Sequence, residues 1–212
     1  MCCRFYIAKS SPELQPYISK AEKSSLTSAM SIALSRPLKT EGEIRPTDMV
    51  PVIAPSKAGK ETVFPMVWGF TNPRSNNPVV NTRVETAKYK DLFKDSWQQR
   101  RCIIPCSWYF EWEHLKNEFT GKTKTGDKYS IQPKECGITF LAGLYRMESS
   151  KGISYPVFTV LTREPAREIS FIHDRMPVIL PQTLIGDWIN PSNRADEIVS
   201  EALTEMVFEK TI

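Results

Sequence analysis

The chain has 212 residues, 41% hydrophobic and 25% charged, with a formal net charge of +4 and an isoelectric point near 8.7. That balance is ordinary for a globular protein with a sizeable core, and its mild basicity tolerates an anionic partner without requiring one. No apolar run approaches the roughly 18–20 residues a membrane span needs, and no charged-then-apolar leader opens the chain, so a cytoplasmic protein without a membrane partner is expected.

In chain order, Phe5-Tyr6-Ile7 reads as a short buried strand. Ser11-Pro12-Glu13 offers a helix start with proline in the first turn, and helical character runs to about Ser35, with Ser24-Ser25-Leu26-Thr27 as a loop between two helices. From Gly42 the texture changes to strands over 48–53 and 62–70, whose internal prolines predict sheet edges or bulges. Residues 72–78 form a turn-rich loop, and 79–87 alternate polar with apolar residues. Tyr89, Leu92, Phe93 and Trp97 recur at helical spacing, which predicts an amphipathic helix from Lys88 to a basic end at Arg100-Arg101, its aromatic stripe packed in the core.

Residues 102–113 are the most hydrophobic passage and end on acids in an aromatic setting, and 114–127 read as a polar hairpin loop. Strands follow near 129–131, 138–146 and 155–161, then a return to the core over 171–180 and two closing helices from Pro181. Without an internal repeat or low-complexity linker, the expectation is a single α+β domain over 1–212, a mixed, mostly antiparallel sheet or open β-barrel with peripheral helices.

Five cysteines without a secretory signal are expected to be reduced thiols. Cys102 and Cys106 on one continuous strand would stand roughly 13 Å apart, too far to share an ion, so no metal site is expected. Gly121-Lys122-Thr123 resembles the end of a P-loop, but Lys116 stands where its first glycine is required, and no nucleotide cofactor is expected.

The chemistry concentrates at the N-terminus, Met1-Cys2-Cys3-Arg4-Phe5. Removal of Met1 would leave Cys2 with a free α-amine, reference pKa about 7.7–8.0, beside a thiol of about 8.5. Such a 1,2-aminothiol condenses with an aldehyde through nitrogen and closes a thiazolidine ring through sulfur. Only two histidines are available for proton transfer: His114 opens a polar loop and reads as solvated, whereas His173 lies among apolar residues and is either a satisfied core histidine or a catalytic one. Glu111, between Phe110 and Trp112, is either desolvated with a raised pKa or turned to solvent by strand alternation. Asn81, Arg83 and Glu85 would share one strand face, either reading a phosphate and a hydroxyl or forming a surface charge ladder.

Met1-Cys2-x-Arg4-Phe5, Trp68-Gly69, Asn81-x-Arg83-x-Glu85-Thr86, Arg101-Cys102-Ile103-x-Pro105 with Trp108-x-x-Glu111-Trp112, and Ile172-His173-Asp174-Arg175-Met176-Pro177 together resemble the SRAP domain, the SOS response-associated peptidase family. The resemblance runs in order from residue 2 to about 190 and includes the loop Arg45-Pro46-Thr47. It implies a monomeric sensor of abasic sites in single-stranded DNA that loses Met1, by self-processing or through a host aminopeptidase, and crosslinks the opened sugar as a thiazolidine on Cys2. By position, Asn81 would hold Cys2 and the sugar, Glu111 would shuttle protons, and His173 would assist ring opening and reversal. Arg4, Arg83 and Arg175 would take phosphates, and Pro46, Trp68, Trp112 and Thr162 would line the DNA path. The chain departs from the family at Cys3, where glycine is usual. Two rivals are an N-terminal-nucleophile cysteine amidohydrolase, in which the Cys2 thiol attacks an amide, and a non-catalytic single-strand binding module.

Overall fold

The computed structural model describes residues 3–116 and 123–211. They carry β1 (Arg4–Ile7), α1 (Gln15–Glu22), α2 (Ser25–Leu34), β2 (Gly42–Ile44), β3 (Met49–Pro55), β4 (Glu61–Trp68), β5 (Asn81–Arg83), α3 (Val84–Ala87), α4 (Lys94–Gln99), β6 (Arg101–Cys106), β7 (Trp108–Lys116) and β8 (Thr123–Pro133). Then come β9 (Thr139–Ser150), β10 (Ile153–Arg163), β11 (Met176–Pro177), α5 (Ile185–Ile189), α6 (Ala195–Ser200) and β12 (Met206–Thr211).

Five strands follow the order β10-β4-β3-β6-β9, and β9 pairs back onto β10 from Val160↔Gly143 to Ile153↔Ser150, which closes a barrel. Its pairings are antiparallel except those of β10 with β4 and with the short β5, which are parallel. A second, antiparallel sheet has the order β12-β8-β7-β1-β2. The expected mixed, mostly antiparallel α+β architecture is therefore present.

Alternation along the barrel strands explains why they read as near-continuous apolar runs: both faces are covered. Val50, Val52, Cys102 and Ile104 share a core cluster with Phe5, Ile7, Tyr109 and Ile131 of the second sheet. Met49, Ile53 and Ile103 join the cluster that packs Ala21, Met30, Trp97, Ile185 and Trp188 of the helices.

The prolines of β3 and β4 correct the expectation of edges or bulges. Pro51 lies directly opposite Pro65 inside a regular ladder. Trp68 N–H donates to Asp48 O at 2.9 Å, and alternation from that bonded pair puts Pro51 and Pro65 at positions where the two strands exchange no hydrogen bonds. On their other sides, β3 meets β6 only at Ile53↔Ile103 and β4 meets β10 only at Val67 and Trp68, so no neighbour requires the missing N–H groups.

The long helix expected over 88–101 is also corrected. Helical geometry is confined to Lys94–Gln99, and Arg101 begins β6, only 2% exposed. Its guanidinium donates to the carbonyls of Trp188 at 2.6 Å, Asn193 at 3.0 Å and Asn190, which ties the barrel to α5 and the turn after it. β7 and β8 continue beyond the expected hairpin boundaries, and β12, which the sequence reading missed, adds an edge strand to β8.

Candidate active site

β1 delivers the N-terminal residues to β7. Phe5 and Ile7 are buried while Arg4 and Tyr6 are half-exposed, the alternation of a strand with one covered face. Antiparallel pairing sets Arg4 opposite Phe110 and Phe5 opposite Tyr109, so the ladder continues toward Cys3 beside Glu111. Burial raises the Cys3 thiol above its usual pKa; the Glu111 charge adds to that rise and Arg4 opposes it. Cys2 lies outside the described residues.

Glu111 is 4% exposed, which decides between its two readings: it faces inward. Desolvation raises its carboxyl above the ordinary range, with repulsion from Asp174 in the same direction. Asp174 and His173 belong to the segment between β10 and β11, and His114 N–H donates to Ile172 O at 2.9 Å, fastening that segment to β7. A register irregularity between Trp112 and His114 re-aims the strand at this point, as bulges beside functional sites often do.

His173 is 5% exposed. Its Nδ1 accepts the Arg175 N–H at 3.0 Å and lies 2.7 Å from Asp174 Oδ1. Desolvation lowers its pKa to about 4, with the neighbouring His114 acting in the same direction and Asp174 opposing, so the ring is neutral at physiological pH. The His114 ring centroid stands 3.9 Å from that of His173. His114 is exposed, as its polar setting suggested, and its ring also stands against that of His173.

Asn81 and Arg83 come from β5, aligned with Val160 and Thr162 of β10. Trp68 Nε1 donates to Val80 O at 3.0 Å, and its ring lies 5.0 Å from Phe5, so one buried indole connects the Asn81 segment to β1. Gly69 follows with φ of 118°, and a Cβ there would meet Pro78 Cβ at 2.6 Å; only glycine passes. The strand face expected to carry Asn81, Arg83 and Glu85 ends at Arg83, because α3 begins at Val84.

Three expectations about a DNA-facing surface need correction. Trp68 and Thr162 are 0% exposed and lie beneath the surface instead of lining it. Arg175 is 8% exposed, gripped by Glu85 at 2.9 and 2.8 Å and by Thr162 O at 2.7 Å, so its charge is spent on holding α3 to β10. The bond in turn keeps the Glu85 carboxyl below its ordinary range against the opposing effect of burial.

Positive charge does reach the surface nearby. Glu43 of β2 is shared by Lys128 at 2.6 Å, Arg4 at 3.1 Å and Arg45 at 3.4 Å, an excess of cations over acid. Lys128 Nζ lies 3.8 Å from the Phe110 ring centroid and 5.4 Å from that of half-buried Trp112, and half-buried Pro46 adjoins Arg45. Beyond Asn81, Arg83 borders an open groove of about 1010 Å³ with Arg74, Lys90 and Arg100 on its walls, together with Asp91 and Asp95. Lys128 was not singled out from the sequence, His114 was weighed only as a solvated residue and Arg45 only as part of the Arg45-Pro46-Thr47 loop, because their placement depends on a bulge and on cross-strand pairing.

A sequence model of the SOS response associated peptidase (SRAP) family matches residues 1–211. The chain belongs to the SRAP family. Among curated relatives it is 32% identical over 143 residues to the abasic site processing protein YoaM of Bacillus subtilis, a match covering 64% of this chain and 60% of YoaM. It is 28% identical over 129 residues to the abasic site processing protein YedK of Escherichia coli, covering 59% of this chain and 54% of YedK. The matched stretch therefore spans somewhat over half the length of these relatives. A solved protein from Bacteroides thetaiotaomicron shares this SRAP fold with a TM-score of 0.72 at 21% identity, covering 100% of this chain and 92% of that one. Among the described residues, no helix is long and apolar enough to cross a membrane.

Proposed function

We propose that this SRAP protein captures abasic sites in single-stranded DNA by forming a thiazolidine crosslink on Cys2 after loss of Met1. The observation that carries the reading is the β1–β7 pairing, which leads the N-terminal residues to a desolvated glutamate in a family whose curated relatives are named abasic site processing proteins.

The chemistry balances. The Cys2 α-amine adds to the C1 aldehyde of the ring-opened sugar, the carbinolamine loses water, and the thiol adds across the resulting imine while nitrogen takes the proton. Glu111, with its raised pKa, supplies the proton that carries off the hydroxyl and then accepts one from the thiol. The neutral His173 ring exchanges a proton with the sugar during opening and reversal. Asn81 holds the sugar and the cysteine terminus, and Arg4, Arg83, Arg45 and Lys128 neutralise flanking phosphates, with Trp112 and Pro46 against unstacked bases. Holding the aldehyde beside the aminothiol makes both condensation steps effectively intramolecular.

The same acid would support self-release of Met1: the Cys2 thiol attacks the Met1 carbonyl, the Met1–Cys2 C–N bond breaks as Glu111 protonates the departing Cys2 nitrogen, and water hydrolyses the thioester to free methionine and restore the thiol. E111Q should then retain Met1 by mass spectrometry; a fully processed E111Q chain assigns removal to a host aminopeptidase.

Incubation with single-stranded DNA bearing one abasic site tests the crosslink itself. An adduct that survives denaturing electrophoresis is expected from the wild type and C3G and not from C2A; an undiminished adduct with C2A would falsify the proposal. Ammonia release from glutamine without an adduct would move the assignment to the amidohydrolase reading.

A further inference from the structure

We propose that His114, His173 and Asp174 form a binding site for a zinc-class divalent metal ion. One donor atom from each side chain can be chosen so that all three lie within 4.8 Å of one another. Two imidazoles and one carboxylate suit zinc and its neighbours in the first transition row and ill suit magnesium or calcium, which prefer all-oxygen shells.

The scaffold holds the donors together independently of any ion. His114 N–H bonded to Ile172 O fixes the 172–174 segment against β7, and the irregularity after Trp112 turns His114 toward it. The two rings pack at 3.9 Å between centroids. His173 is enclosed, while His114 and Asp174 are exposed and free to adjust by rotation, Asp174 with 72% of its side chain accessible.

His173 Nδ1 faces Asp174 Oδ1 at 2.7 Å, and because its single lone pair accepts the Arg175 N–H, an ion would bind through Nε2 or by displacing that bond. Asp174 also repels the buried Glu111, a tension that a dication relieves. With three protein ligands, a fourth position remains for water or an incoming group, the arrangement of reactive rather than purely structural zinc sites. An occupied site would withdraw His173 from proton exchange and make zinc an inhibitor of crosslinking, a consequence that rests on the reading given above.

Calorimetric titration of metal-free protein with Zn2+, without DNA, tests the site separately from crosslinking. One zinc per chain is expected, with affinity reduced in H114Q and D174N by about tenfold or more, since loss of even an outer-sphere partner costs 10–100-fold. Both side chains are exposed, so neither variant threatens the fold. Co2+ should give visible bands of a nitrogen and oxygen shell without thiolate charge transfer. Absence of zinc binding, affinity unchanged in both variants, or a thiolate band that disappears on mutation of Cys2 or Cys3 would overturn the site.

Discussion

Burial sets the protonation behaviour of Glu111. At 4% exposure, its charged form is disfavoured, and the carboxyl is held nearer the protonation range useful at neutral pH. E111Q preserves shape and removes proton transfer; with Met1 first removed by an aminopeptidase so that the α-amine is free, the crosslinking rate should fall about 100-fold or more, the usual contribution of a positioned acid–base, with little change in DNA affinity. Single-turnover kinetics and equilibrium binding separate the two quantities, and a parallel fall in both would assign Glu111 to binding. Arg45 belongs to the opposite class: its side chain is 63% accessible and only loosely paired with Glu43 at 3.4 Å. R45A should weaken single-strand binding equally for all sequences and flatten the dependence of log affinity on log salt by about 0.7, the value of one phosphate contact.

At the scale of elements, the strands carried their own labels in the sequence and the site did not. Hydrophobic runs over β3, β4, β6 and β10 are legible because both barrel faces are buried, whereas α1 begins at Gln15, after the Ser11-Pro12-Glu13 signal, and α2 begins at Ser25, inside the stretch expected as a loop. The aromatic spacing through Trp97 suggested a longer helix than exists, since the barrel needs Arg101 as the first residue of β6 and Phe93 packs against Phe70 from outside α4. Glu111 and His173 stood out through their apolar neighbours. His114 did not, because its direction is set by a β-bulge and by a carbonyl distant in sequence. Trp68 and Arg175 were expected at the surface from family position alone, whereas packing makes them a strut and a clamp. The strut depends on Gly69: G69A places a Cβ 2.6 Å from Pro78 and forces a side chain into left-handed backbone space, and should cost about 1–3 kcal/mol in denaturant unfolding. A stability unchanged from wild type would mean that the 69–80 connection shifts freely.

For the molecule as a whole, Glu43 is the point at which β1, β2 and β8 are joined by charge. Lys128, Arg4 and Arg45 hold its carboxyl below the ordinary range although partial burial pushes the other way. A depressed native pKa means that the unfolded chain binds the proton more readily. The stabilisation is therefore present above the unfolded value of about 4.3 and is lost as pH falls through the lower native value. The groups are about a quarter accessible, so each pair contributes only about 0.2–1 kcal/mol after screening by solvent. E43Q should accordingly be about 1 kcal/mol less stable than wild type in urea near neutral pH, and the difference should shrink as the acid limb is descended, because a protonated Glu43 is electrically equivalent to glutamine. The same substitution leaves three cations without their shared acid, so single-stranded DNA affinity should rise while stability falls. If stability and DNA affinity fell together at neutral pH, Glu43 would instead be organising the basic surface on which phosphates rest.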